Sequence, residues 1–98
     1  VLLNLLRNAW QATADVEERR IEVSGRLNRR GNVVIEVADN GPGVPDELAT
    51  KIFVPFFTTK EAGSGVGLAL ARQVMTAHRG FIRAGENEGG GARFTLTF

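Results

Sequence analysis

Two asparagines one helical turn apart, Asn4 and Asn8, stand among leucines near the start of the chain. Asparagine is a mediocre helix former, so the pair points to side chains held for hydrogen bonding or metal coordination, with a solvated polar face as the competing reading. Their Cβ atoms would lie about 5–6 Å apart, close enough for both amides to reach one ligand group. A magnesium ion accepts such an amide oxygen when phosphate oxygens and waters complete its octahedron. A second constellation is Asp39-Asn40-Gly41-Pro42-Gly43. Its glycines let backbone come close to a flat ligand, and a buried carboxylate accepts a hydrogen bond from an exocyclic amine; a plain strand-ending turn would use the same residues. A third is Gly63-Ser64-Gly65-Val66-Gly67 ahead of a helix, where exposed backbone N–H groups and the helix dipole favour phosphate. It is not a Walker loop, because no Gly-Lys-Ser/Thr follows, and it is a poor dinucleotide fingerprint, because no strand feeds directly into it. The same glycines would suit a hinge, and both roles coexist in a lid that closes over phosphates.

These groups need elements to hold them. From Val1 to about Glu18 there is no Pro or Gly, and Leu, Ala, Gln, Arg and Glu dominate, which predicts a helix. On it Asn4, Asn8, Gln11 and Asp15 follow one face, flanked by Leu2, Leu3, Leu5, Leu6, Ala9 and Trp10. Two alternating runs come next, Arg20–Leu27 and Val33–Asp39, joined by Asn28–Asn32 and read as a hairpin buried on one face. Asp39 continues the parity of Val33, Ile35 and Val37, so its carboxylate is aimed at the covered face, where it needs a partner. Residues Val44–Gly63 form a long irregular connection, the kind that serves as a functional lid or is disordered. A second helix is expected over about Leu68–His78, stopped by Gly80, followed by strands Phe81–Glu86 and Ala92–Phe98 around Gly89-Gly90-Gly91. The economical architecture is α+β, a two-layer sandwich with the helices on one face of a mainly antiparallel sheet.

Composition narrows the classes of function. A chain of 98 residues with a formal charge of +1 makes one small domain, 1–98, without the field of a nucleic-acid or membrane-surface binder. With no cysteine a disulfide framework and a thiolate metal site are excluded, and a single histidine argues against a histidine-based metal cluster. No signal peptide or apolar span is visible, so a cytoplasmic setting is permitted and no direct membrane contact is expected. The chain opens inside a helix without an initiator Met and is expected to be a piece of a longer protein. Phe53 reads as core, whereas Phe56 and Phe57, beside Pro55 in the long loop, have docking against another domain as a competing role. His78 reads as a dipole-complementing or packing residue at a helix end.

Taken in order, the motifs resemble the ATP-binding catalytic domain of sensor histidine kinases, a branch of the superfamily that also holds gyrase, Hsp90 and MutL. Val1-Leu2-Leu3-Asn4-Leu5-Leu6-Arg7-Asn8-Ala9 looks like the N box and Asp39-Asn40-Gly41-Pro42-Gly43 like the G1 box. Phe53-Val54-Pro55-Phe56-Phe57 looks like the F box, Gly63-Ser64-Gly65-Val66-Gly67-Leu68 like the G2 box, and Gly89-Gly90-Gly91-Ala92-Arg93-Phe94 like the final glycine motif. The Pro55–Lys60 stretch is similar to that of nitrogen-regulation and dicarboxylate-type sensors. The resemblance implies a Bergerat-type fold beginning at the N box, with ATP and Mg2+ as cofactors. It implies that Asn8 ligates Mg2+, Asp39 binds the adenine amine, Gly41 and Gly43 shape that pocket, and Gly65 and Gly67 border the phosphates. Asn4, Gln11, Val44, Lys60, Gly63, Val66 and Leu68 complete the expected nucleotide-binding set, and no catalytic side chain is assigned. The implied reaction is transfer of the γ-phosphoryl group to a histidine of a separate dimerisation domain and then to the receiver domain of a response regulator, achieved mainly by positioning and charge neutralisation.

Asn4 bears on the chemistry. Clamp-type ATPases of the superfamily carry at that place a Glu that activates water, and an amide cannot accept that proton, so phosphotransfer is favoured over autonomous hydrolysis. Gln11 stands where many members have a Lys, and Lys60 is expected to supply part of that charge. Ala92 replaces a Thr common after the last glycine, which removes a hydroxyl from the adenine side. A nucleotide-binding or docking module without catalysis is the alternative reading.

Overall fold

The computed structural model describes residues 1–44, 46–54 and 67–98. Helix α1 spans Leu2–Ala12, strands β1 and β2 span Ile21–Leu27 and Val33–Asp39, and 3-10 turns cover Asp46–Leu48 and Lys51–Phe53. Helix α2 spans Gly67–Ala77, followed by β3, Phe81–Glu86, and β4, Ala92–Thr97. The four strands form one open antiparallel sheet in the order β1-β2-β4-β3. The architecture is α+β, with α1 packed on β2 and α2 on β3.

Register explains the core. Val37 pairs with Phe94 and Ile35 with Leu96, which puts alternate residues of β2 and β4 on one face. Leu5 and Ala9 from α1 and Met75 from α2 close over that face, together with Phe53. Phe53 meets Phe94 edge to face, with centroids 6.5 Å apart and an interplanar angle of 89°. Burying a side chain the size of Phe94 contributes about 1.5–3 kcal/mol, so this pair anchors the segment after the second constellation to the sheet.

On the opposite face, Glu36 of β2 pairs with Arg26 of β1 at 3.4 Å and with Arg93 of β4 at 3.3 Å. Both arginines are substantially exposed, so these pairs hold strand alignment more than they add stability.

Three local expectations are corrected. Helix α1 stops at Ala12, not near Glu18, and Asp15 therefore leaves the face of Asn4 and Asn8. Thr13 ends it: the buried hydroxyl donates to the Ala9 carbonyl at 2.8 Å, and Arg19 Nε donates to the Thr13 carbonyl at 3.2 Å. Further on, the Asn40 side chain accepts from Arg20 N–H at 2.8 Å and donates to the Glu18 carbonyl at 2.7 Å, so the chain must double back there. Strand β1 is also less covered than its alternation predicts. It lies at the sheet edge, where α1 covers only part of it, leaving Val23 and Leu27 51% and 68% exposed.

The third correction concerns the stop of α2. The left-handed residue is Arg79, at φ 61°, and the Gly80 N–H closes back on the Met75 carbonyl at 2.7 Å. Gly80 is required for space instead, since a Cβ there would lie 2.5 Å from the Thr97 carbonyl oxygen. Left-handed backbone costs an ordinary residue about 1–2 kcal/mol, part of which glycine returns as unfolded-state entropy. Arg79→Gly is therefore expected to stabilise the fold by roughly 0.5–1 kcal/mol, read as a higher urea midpoint at unchanged slope. His78 is exposed on the last turn, which leaves it no packing role.

Candidate functional site

The carboxylate of Asp39 is the centre of the site. It ends β2 on the covered face with only 2% of the residue exposed. Its Oδ1 accepts from the Gly41 N–H at 2.9 Å and from the Ala92 N–H at 3.2 Å. A carboxylate buried this deeply needs such donors, and both come from backbone, so its orientation does not depend on a mobile partner. Ala92 thus supports Asp39 through its amide, whatever its missing hydroxyl would have added.

The glycines around Asp39 are set by contact. A Cβ on Gly41 would lie 2.7 Å from the Ala12 carbonyl oxygen, so the end of α1 and the turn after β2 are pressed together. Gly43 has φ +81°, and a Cβ on it would lie 3.0 Å from the Gly91 carbonyl oxygen. Gly91, at φ +99°, sits so close to the Asp39 carbonyl that a Cβ would overlap it. The turn between β3 and β4 is therefore stacked on the residue that carries the carboxylate.

Asn4 and Asn8 are half-buried on one side of α1, and Asn4 Nδ2 reaches the Gly67 carbonyl at 3.4 Å. This contact joins the asparagine face to the first residue of α2. Gln11 is exposed further along α1, Val44 is half-buried, and Leu68 packs against the core from α2. Lys60, Gly63, Gly65 and Val66, with Phe56 and Phe57, lie outside the described residues. Asp39, Gly41, Gly43 and Val44 thus fall at the end of β2 and on the segment that follows it, while Asn4 and Gly67 meet where α1 faces α2. An open recess of about 510 Å³ lies nearby, lined by Pro42–Val44 and Glu86–Gly91. It excludes Asn8 and Asp39 and carries two glutamates, which makes it unsuited to a polyphosphate.

Among the described residues no group of three His, Cys, Asp or Glu could hold a metal. The amide of Asn8 is of a ligand type that a hard cation such as magnesium accepts. Sequence reading missed Asn87, whose side chain reaches the Asp39 carbonyl, and the anchoring role of Asn40. Asx residues flanking strands carry the only local signal, and that signal does not name a distant partner.

An asparagine-bearing helix, a buried strand-end carboxylate and a glycine turn stacked on it are thus carried by one antiparallel sheet and its helices. The chain belongs to the histidine kinase-, DNA gyrase B- and HSP90-like ATPase family, whose model matches residues 1–98. It is 40% identical over 97 residues to the sensor protein FixL of Bradyrhizobium diazoefficiens, covering 99% of this chain and 19% of that protein. It is 42% identical over 98 residues to the C4-dicarboxylate transport sensor protein DctS of Rhodobacter capsulatus, covering 99% of this chain and 15% of that protein. The structure of full-length ShkA in complex with AMPPNP superposes with a TM-score of 0.85 at 33% identity, over 98% of this chain and 20% of that one. The chain thus spans about a fifth or less of the length of these relatives. No helix among the described residues is long and apolar enough to cross a membrane.

Proposed function

We propose that residues 1–98 act as the ATP-binding unit of a sensor histidine kinase, binding ATP with Mg2+ and presenting the γ-phosphoryl group to a histidine of a dimerisation domain. The observation that carries this reading is the Asp39 carboxylate, buried at the end of β2 and fixed by two backbone N–H groups. Asp39 would accept the exocyclic amine of adenine, and Gly41 and Gly43, whose missing side chains leave room for Ala12 and Gly91, would shape the pocket around it. Asn8 would give the metal its protein ligand, and bound Mg2+ would neutralise charge on the phosphates. Gly67 at the start of α2, with Gly63, Gly65, Val66 and Leu68, would border the phosphates, and Lys60 would add the positive charge that Gln11 does not. Asn4 has no carboxylate with which to activate water, which supports phosphotransfer over hydrolysis. A response-regulator receiver domain would be the final acceptor, in the cytoplasm. The structure of full-length ShkA in complex with AMPPNP supports the binding half of this reading.

Isothermal titration of the chain with AMPPNP tests it. Saturable one-to-one binding is expected, weakened about tenfold when Mg2+ is withdrawn or when Asn8→Ala removes the amide ligand. A folded chain that takes up no nucleotide at millimolar concentration would refute the reading.

A further inference from the structure

We infer that Asn87, the first residue after β3, is a positioning residue that sets the Asp39 carboxylate for its ligand; the inference rests on the ATP-binding reading above. The Asn87 Nδ2 donates to the backbone carbonyl of Asp39 at 3.0 Å, across 48 positions of sequence. Its Oδ1 accepts from Arg93 Nη2 at 3.0 Å, and Arg93 Nη1 in turn donates to Glu36 Oε2 at 3.3 Å. The arginine has only donors, so it pins the amide oxygen on its own side and leaves the NH2 group facing Asp39.

The backbone of Asn87 is held as firmly. Its N–H donates to the Gly91 carbonyl at 3.0 Å, and its carbonyl accepts from the Gly90 N–H at 3.1 Å. The turn between β3 and β4 therefore grips one residue at three points. Asn87 holds the Asp39 carbonyl, Gly91 is packed against that carbonyl, and the Ala92 N–H holds the carboxylate. A carboxylate that reads a ligand amine must be placed within about 0.5 Å, and a carbonyl held from the far strand hairpin stops the end of β2 from swinging. Asn87 does not touch the base; it acts through Asp39.

Asn87→Asp separates this role from simple folding. An aspartate keeps an acceptor for Arg93, yet it has no donor for the Asp39 carbonyl and sets oxygen against oxygen there. The readout compares ATP with purine riboside triphosphate, which lacks the exocyclic amine, by titration against wild type, Asn87→Asp and Asn87→Ala, each checked for a cooperative melt. Wild type is expected to prefer ATP at least tenfold, and each variant to lose about tenfold for ATP while staying within about twofold for the amine-free nucleotide. Equal weakening for both nucleotides, or no weakening, overturns the positioning role. If neither variant folds, Asn87 is a structural residue and the inference fails. A wild type that binds ATP but does not prefer it over purine riboside triphosphate removes the base-reading role of Asp39, and the role of Asn87 with it. A wild type that binds neither nucleotide refutes the ATP-binding reading itself.

Discussion

Asp39→Asn is expected to weaken ATP binding about a hundredfold while leaving the fold intact. Oδ1 of Asp39 already accepts two backbone N–H groups, from Gly41 and Ala92. An asparagine would keep those bonds by placing its own oxygen there, which forces its NH2 group to the other side, toward the ligand amine. Two donors then face one another where an acceptor was required. Losing a hydrogen bond from a ligand to a charged acceptor costs about 1.5–3 kcal/mol, and leaving both groups unsatisfied in a buried place brings the total to the upper end of that range. Titration should show the loss in ATP affinity, and a thermal melt should shift by only a few degrees. Binding of ATP by Asp39→Asn within threefold of wild type would place the base-reading group elsewhere.

Among the described glycines, Gly91 is where an added methyl should do the most damage. At φ +99° an alanine is strained, and its Cβ would overlap the Asp39 carbonyl, with no flexible side chain to yield. Strain of that kind with overpacking costs about 3–5 kcal/mol, against a total stability of about 5–15 kcal/mol for a domain. A fall in melting temperature on the order of 15 °C follows, together with loss of nucleotide binding. Gly89 and Gly90 supply the control. Their φ angles are +83° and +106°, but nothing lies within 4 Å of a Cβ at either, so alanine there should cost about 1–2 kcal/mol from backbone strain alone. Equal losses at all three positions would mean that the stacking on Asp39 contributes nothing.

The strands and the inward turn of Asp39 were legible in the sequence because side-chain parity along a strand is strictly two, and the runs around Ile35 and Phe94 are clean enough to count. Helix ends were harder. No Gly or Pro marks the stop at Ala12, and what ends the helix is a buried threonine and the distant grip of Asn40 on Glu18 and Arg20. The sparse cover of β1 was hidden for a related reason: alternation tells which side a residue faces, not whether a helix reaches far enough to cover it. At the site, Asp39, Gly41 and Gly43 stand in one short motif and were found together. Asn87 was not, because its contact joins two strand ends across the fold and leaves no local pattern. Asn4 could be placed on its helix face from spacing, whereas its reach to Gly67 depends on how two helices meet.

The stacking of one turn on Asp39 also makes that turn a place to listen from. Glu88 is exposed at its tip, adjacent to Asn87, and the whole chain is free of cysteine. A single thiol introduced at Glu88 would carry an environment-sensitive dye at one defined site, on the lining of the recess beside Gly43 and one residue from the grip on Asp39. Occupancy could then be followed as a change in fluorescence on the unlabelled nucleotide, without tagging the ligand or reconstituting the phosphotransfer.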